Sequence, residues 1–157
     1  METREQVCCF SGHRSLPDSQ RAGLAVRLMA AIEAQIESGV TLFISGGARG
    51  FDLLAAEAVL AQKARHPHIR LLMALPCPEQ TRGWPASEVR RYRRVLSLCD
   101  EQVTLAPAYS RECMLARDCY MVNRSARCIC YLNRPRGGTA YTVRYAVKRG
   151  LEIINLA

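Results

Sequence analysis

The sequence predicts a Rossmann-like α/β fold, doubly wound, with a mostly parallel sheet of about six strands. Short apolar, β-branched runs alternate with helical patterns along the whole chain, the signature of βα units. No internal repeat or low-complexity linker interrupts them. A length of 157 residues, 49% hydrophobic and 23% charged, supports one ordinary globular core, whereas two cores would each be marginal. Residues 1–157 are therefore read as one domain.

The elements follow in order. Val7 to Phe10 is the first strand, and Gln20 to Ser38 is a helix with Leu24, Leu28, Ile32 and Ile36 on one face, stopped by Gly39. Thr41 to Ser45 is the second strand and runs into a glycine-rich turn, from which a helix continues from Phe51 to Ala64. Ile69 to Leu75 is the third strand, ended by Pro76 and Pro78, which do not suit a central ladder. Ser87 to Cys99 is a helix with Arg90, Arg91, Arg93 and Arg94 on its solvent face, and Gln102 to Leu105 is a fourth strand closed by Pro107. A helix from Arg111 to Arg124, a strand from Arg127 to Leu132, a helix from Thr139 to Arg149 and a strand from Leu151 to Leu156 complete the chain. Right-handed crossovers with helices on both faces make 3-2-1-4-5-6 the simplest strand order.

Composition narrows the function classes. No run reaches the roughly 20 apolar residues of a membrane span, and the polar start, with Glu2 and Glu5, lacks the features of a secretory signal. A cytoplasmic location without membrane contact is expected. Of the eight cysteines, Cys8, Cys9, Cys128 and Cys130 sit in apolar strand-like runs and Cys99, Cys113 and Cys119 in helical ones, so reduced, buried thiols are the better reading. Neither the Cys8-Cys9 pair nor the Cys128-x-Cys130 pair has the spacing of a zinc site, and no metal is expected. The net charge of +8 is almost wholly arginine, since Lys63 and Lys148 are the only lysines. Such a surplus favours anionic partners, a small-molecule nucleotide or a nucleic acid. An apolar helix face is compatible with a homodimer, although a face packed on a sheet looks the same.

In open α/β sheets ligands sit beyond the carboxyl ends of the strands, which directs attention to three loops. After the second strand comes Ser45-Gly46-Gly47-Ala48-Arg49-Gly50-Phe51-Asp52, in outline a phosphate cradle ahead of a helix N-terminus. It is neither the dinucleotide fingerprint nor a Walker A loop, and a tight turn alone also explains the glycines. Asp52 suits a helix cap or a ribose hydroxyl. After the first strand, Ser11-Gly12-His13-Arg14 brings together the residue types an anion site uses. After the fifth, Arg134 and Arg136 flank Gly137-Gly138, with Thr139 as a natural helix N-cap. The ligand-binding set is thus Ser11, Gly12, His13, Arg14, Ser45, Gly46, Gly47, Gly50, Asp52, Arg136, Gly137, Gly138 and Thr139.

These three motifs in this order, with Glu57 on the helix after the second loop, resemble the SLOG superfamily and especially its small YpsA-like members. The resemblance covers essentially the whole chain. It implies a Rossmann-like bacterial protein that binds a nucleotide or nucleotide-derived ligand as a sensor or regulatory module, with no further cofactor required. Two other branches supply the alternatives. Phosphoribohydrolases of the LOG type cleave a nucleotide N-glycosidic bond with a Pro-Gly-Gly-x-Gly-Thr-x-x-Glu motif. Here Gly137-Gly138-Thr139 is followed by Ala140, Tyr141, Thr142, Val143 and Arg144, with no acid on that turn. Asp52 and Glu57 are then the candidate catalytic carboxylates. DprA-like members bind single-stranded DNA, which would use the +8 charge, though aromatics for base stacking are only 6% of this chain.

Overall fold

The computed structural model describes residues 1–157. Its elements are β1 (Val7–Gly12), α1 (Asp18–Glu37), β2 (Leu42–Ser45), α2 (Phe51–Lys63), β3 (Arg70–Leu75), α3 (Ala86–Leu98), β4 (Glu101–Thr104), α4 (Arg111–Asn123), β5 (Arg127–Tyr131), α5 (Gly138–Lys148) and β6 (Glu152–Asn155), after a short 3-10 turn at Arg4–Gln6. The strands form one six-stranded sheet in which every pairing is parallel. The doubly wound α/β fold expected from the sequence is what the chain adopts.

The strand order is β4-β3-β2-β1-β5-β6, which corrects the expected position of the fourth strand. A strand beside β1 would be buried on both faces, whereas Glu101-Gln102-Val103-Thr104 is polar and largely exposed, suited only to an edge. It pairs with β3, Leu72 opposite Glu101 and Leu75 opposite Thr104. In consequence β1 pairs directly with β5, Cys9 opposite Cys128 and Gly12 opposite Tyr131. The direction of winding reverses between those two strands, so the crevice opens there.

Alternation along the central strands divides the core. Phe10, Phe43, Met73, Ile129 and Tyr131 point to one face, where Leu24, Leu28 and Ile32 of α1, Val59 of α2 and Val95 of α3 cover them. Cys9, Ile44, Ala74, Cys128 and Cys130 point to the other, against Met121 and Val122 of α4 and Val143 and Ala146 of α5. All eight cysteines are free thiols; burial pushes the Cys8 thiol well up and that of Cys130 up to about 12, and a hydrogen bond with Cys9, together with burial, raises that of Cys128. No helix is long and apolar enough to cross a membrane.

Candidate functional site

The reversal between β1 and β5 brings the loops after β1, β2 and β5 to one end of the sheet. There they enclose, with α4, a cavity of about 460 Å³. Ser11 to Ser15 form one wall, Arg134 and Arg136 to Thr139 another, and Ala48, Asp52 and part of α4 the remainder. His13 ties the three loops together. Its carbonyl accepts from the Phe51 amide at 3.1 Å, and its Nε2 accepts from the Asn133 amide at 3.1 Å. Burial, with the nearby Arg134 charge, pulls its pKa below the usual imidazole value, in keeping with a neutral ring that carries its proton on Nδ1. His13 therefore positions the loops.

The second loop is built for close packing. The Ser45 hydroxyl is fully buried, donates to the Asp52 carbonyl at 2.8 Å and accepts from the Gly47 amide at 3.1 Å. A Cβ on Gly46 would lie 2.5 Å from the Arg117 guanidinium, and one on Gly47 would lie 2.8 Å from the Met73 methyl. Gly50 has φ +80°, and a Cβ there would meet the Arg14 carbonyl oxygen at 2.4 Å. Gly12 is pressed just as closely on the Phe51 ring. Of this loop only Ala48 and Asp52 line the cavity; Ser45, Gly46, Gly47 and Gly50 shape it from behind.

Loop five is the open one. Gly137, at φ +102°, is the N-cap of α5, so Thr139 is the second helical residue instead of the cap expected from its type. The amides of Gly138, Thr139 and Ala140 meet no acceptor, because the first intrahelical bond is donated by Tyr141 to the Gly137 carbonyl. Added Cβ atoms on Gly137 and Gly138 would meet nothing within 4 Å. Three exposed guanidinium groups surround this helix start: Arg14, Arg134 and Arg136 line the cavity and none is in an ion pair. Unpaired amides at the positive end of a helix, ringed by free arginines, are the chemistry of an anion seat.

The acids divide. Asp52 is 6% exposed on the cavity floor, and its Oδ1 is buried without a hydrogen-bond partner. Burial pushes its carboxyl up to about 7, opposed by Arg117 and Arg14 and reinforced by Asp118. Glu57 lies elsewhere. Its carboxylate takes both arms of Arg91 on α3, at 3.0 Å and 2.5 Å, and it is not in the cavity wall. The carboxylate that does reach loop five is Asp118 of α4: it accepts from Arg117 Nε at 2.8 Å and from Thr142 Oγ1 at 3.0 Å, and Thr142 is in turn bonded to the Gly138 carbonyl.

Arg117 and Asp118 were not singled out by the sequence motifs. Arg117 is 3% exposed and donates to the Gly46 carbonyl at 2.7 Å and to Gln80 Oε1 at 3.3 Å, binding α4 to the second loop and to the segment after β3. One signal was present. In Arg111–Asn123 the buried positions are Cys113, Arg117, Met121 and Val122, so an arginine occupies the apolar stripe at helical spacing.

Comparisons with known proteins agree with this architecture. The YpsA family model, described as the YspA SLOG family, matches residues 15–152. YoqJ, an uncharacterised SPβ prophage-derived protein of Bacillus subtilis (strain 168), is 30% identical over 135 residues, 78% of this chain and 79% of its own. The UPF0398 protein BH1768 of Halalkalibacterium halodurans is 31% identical over 121 residues, covering 75% of this chain and 64% of its own length. Among solved structures, DNA processing protein A of Helicobacter pylori, described for its single-stranded DNA binding mode, superposes with a TM-score of 0.69 at 17% identity. That match covers 97% of this chain and 65% of the other, and at this identity the likeness is one of fold.

Proposed function

Since this chain belongs to the YspA SLOG family, we propose that it binds a phosphate-bearing nucleotide or nucleotide-derived ligand in the crevice between the loops after β1 and β5, as a sensor or regulatory module. The observation that carries this reading is the start of α5, with three amides lacking acceptors and three unpaired arginines around one cavity. A phosphate on Gly138 to Ala140 would satisfy those amides and gain charge-assisted bonds from Arg14 and Arg136. Asp52 and Asp118, acceptors on the floor and far wall, suit the hydroxyls of a ribose. The eight free thiols fit action in a reducing compartment such as the cytosol.

Calorimetric titration with nucleoside mono- and diphosphates tests the reading. Arg14→Ala and Arg136→Ala should each weaken binding by about 1.5 to 3 kcal/mol, the worth of a hydrogen bond to a charged group. Unchanged affinity in both variants would show these arginines to be surface charge only.

The likeness in fold to DNA processing protein A and the +8 charge favour a second reading, a single-stranded nucleic-acid binder. Arg90, Arg93 and Arg94 leave an exposed basic strip on α3. Fluorescence anisotropy with an unstructured oligonucleotide separates the two: a DNA binder loses affinity steeply as salt rises, and free nucleotide competes only weakly. If the crevice is the site, a mononucleotide binds without DNA and displaces it.

A further inference from the structure

A second cavity, of about 410 Å³, adjoins the first and shares Arg14, Ala48 and Met114 with it. Its character is different. Where the first has no aromatic residue in its walls beyond the His13 ring and only Ala48, Met114 and Leu115 as hydrophobic ones, the walls of the second include Trp84, Tyr109, Met114 and Cys77, together with Glu79 and Arg82. Tyr109 is 65% exposed at its rim, a large aromatic surface left to solvent. Trp84 is held edge-on against Tyr92, ring centroids 5.4 Å apart, and Tyr92 is in turn bonded to Gln80, so that side of the cavity is fixed. A polar chamber joined to an aromatic one is the shape a nucleotide presents, phosphate and sugar at one end and a planar ring at the other.

Two charged groups in the aromatic chamber bear on which ring it takes. Glu79 is its only carboxylate, and the Glu79 Oε2 is buried without a hydrogen-bond partner. A carboxylate only accepts. Arg82 is exposed and in no ion pair, and a guanidinium only donates. Guanine carries two adjacent donors, N1–H and the exocyclic amino group, on one edge, and acceptors O6 and N7 on another, which an arginine reads in bidentate fashion. Adenine would set its N1 acceptor against the carboxylate, leaving repulsion where guanine leaves a bond.

From this arrangement we infer that the second cavity is a base subsite selective for guanine, with Glu79 reading the donor edge, Arg82 the acceptor edge, and Trp84 and Tyr109 flanking the ring. The inference rests on the proposal that the polar cavity holds the phosphate.

The test is calorimetry of the full chain with GMP, IMP, AMP and inorganic phosphate, repeated on Glu79→Gln, Tyr109→Ala and Arg14→Ala, with circular dichroism confirming the fold of each. GMP should bind about tenfold more tightly than AMP, and more tightly than IMP, which lacks the exocyclic amino group. Glu79→Gln should bring GMP down to the level of IMP and leave inorganic phosphate unchanged. Tyr109→Ala should weaken all three nucleotides alike. Equal affinity for GMP, IMP and AMP, or a GMP preference that survives Glu79→Gln, overturns the inference. If phosphate binds in an Arg14-dependent way but no nucleotide binds more tightly than phosphate, the base subsite falls and the phosphate site stands. If neither phosphate nor any nucleotide binds, both fall together.

Discussion

Burial with an unpartnered Oδ1 leaves Asp52 more easily protonated in the folded chain than in the unfolded one, where its value is near 3.8. The native state therefore holds the proton to higher pH, and the sign follows. Stability is greatest below about pH 4 as far as this group is concerned, and it declines as pH rises from there through about 7. A shift of that size corresponds to about 4 kcal/mol at 1.36 kcal/mol per unit. Asp52→Asn should thus raise the urea midpoint at pH 8 and raise it much less at pH 5; a larger gain at pH 5 would contradict the assignment. The same carboxylate, once ionised, repels an incoming phosphate, so nucleotide affinity should fall between pH 6 and 8 more steeply in the native chain than in the variant. Residue types alone pointed to Asp52, His13, Arg14 and Arg136 near a site. They did not separate the glycines of loop two from those of loop five. A glycine after a strand reads the same whether it yields to a neighbour or opens an amide, and the neighbours that decide, Arg117, Phe51 and the Arg14 carbonyl, come from other parts of the chain.

Among the elements, α4 has the most consequence for the site. Arg117 anchors it to the carboxyl end of the sheet through the Gly46 carbonyl, and Asp118 beside it reaches Thr142 on α5. Arg117→Met should cost about 3 kcal/mol or more, because it removes a buried charge-assisted bond and leaves Asp118 without its cation. Denaturant unfolding measures that cost, and a loss below 1 kcal/mol would show that the guanidinium is not what docks the helix. The elements themselves were legible from hydrophobic period and from glycine and proline punctuation. The exposed Glu101 and Gln102 of β4 marked an edge strand, yet the simplest winding rule placed it centrally. A rule about connections carries no information about which strand withstands burial on both faces; that is a property of side chains.

For the molecule as a whole, the question is whether the crevice only holds its ligand or also turns it over. Hydrolysis of an N-glycosidic bond needs a carboxylate beside the sugar, ionised to stabilise positive charge or to activate water. Glu57 is engaged by Arg91, Asp52 sits on the cavity floor with its pKa near 7, and Asp118 is held by Arg117 and Thr142. Slow or absent base release is therefore expected from AMP, GMP, CMP and UMP, followed by chromatography of free base. Robust turnover abolished by Asp52→Asn or Asp118→Asn would make the chain a hydrolase. The pairing of β1 with β5 bears, finally, on time. Cys9 lies opposite Cys128, so the floor of the crevice joins segments that leave a ribosome more than a hundred residues apart. Contacts so distant in sequence close late, after the nearer β1-β2-β3 pairings have paid their loop entropy. A nascent chain ending before Tyr131 already carries Arg14 and Asp52 but has no second wall for a ligand. Binding competence would then arrive in one step once the segment through Thr139 has emerged, and a ligand would act on the assembled fold without templating it.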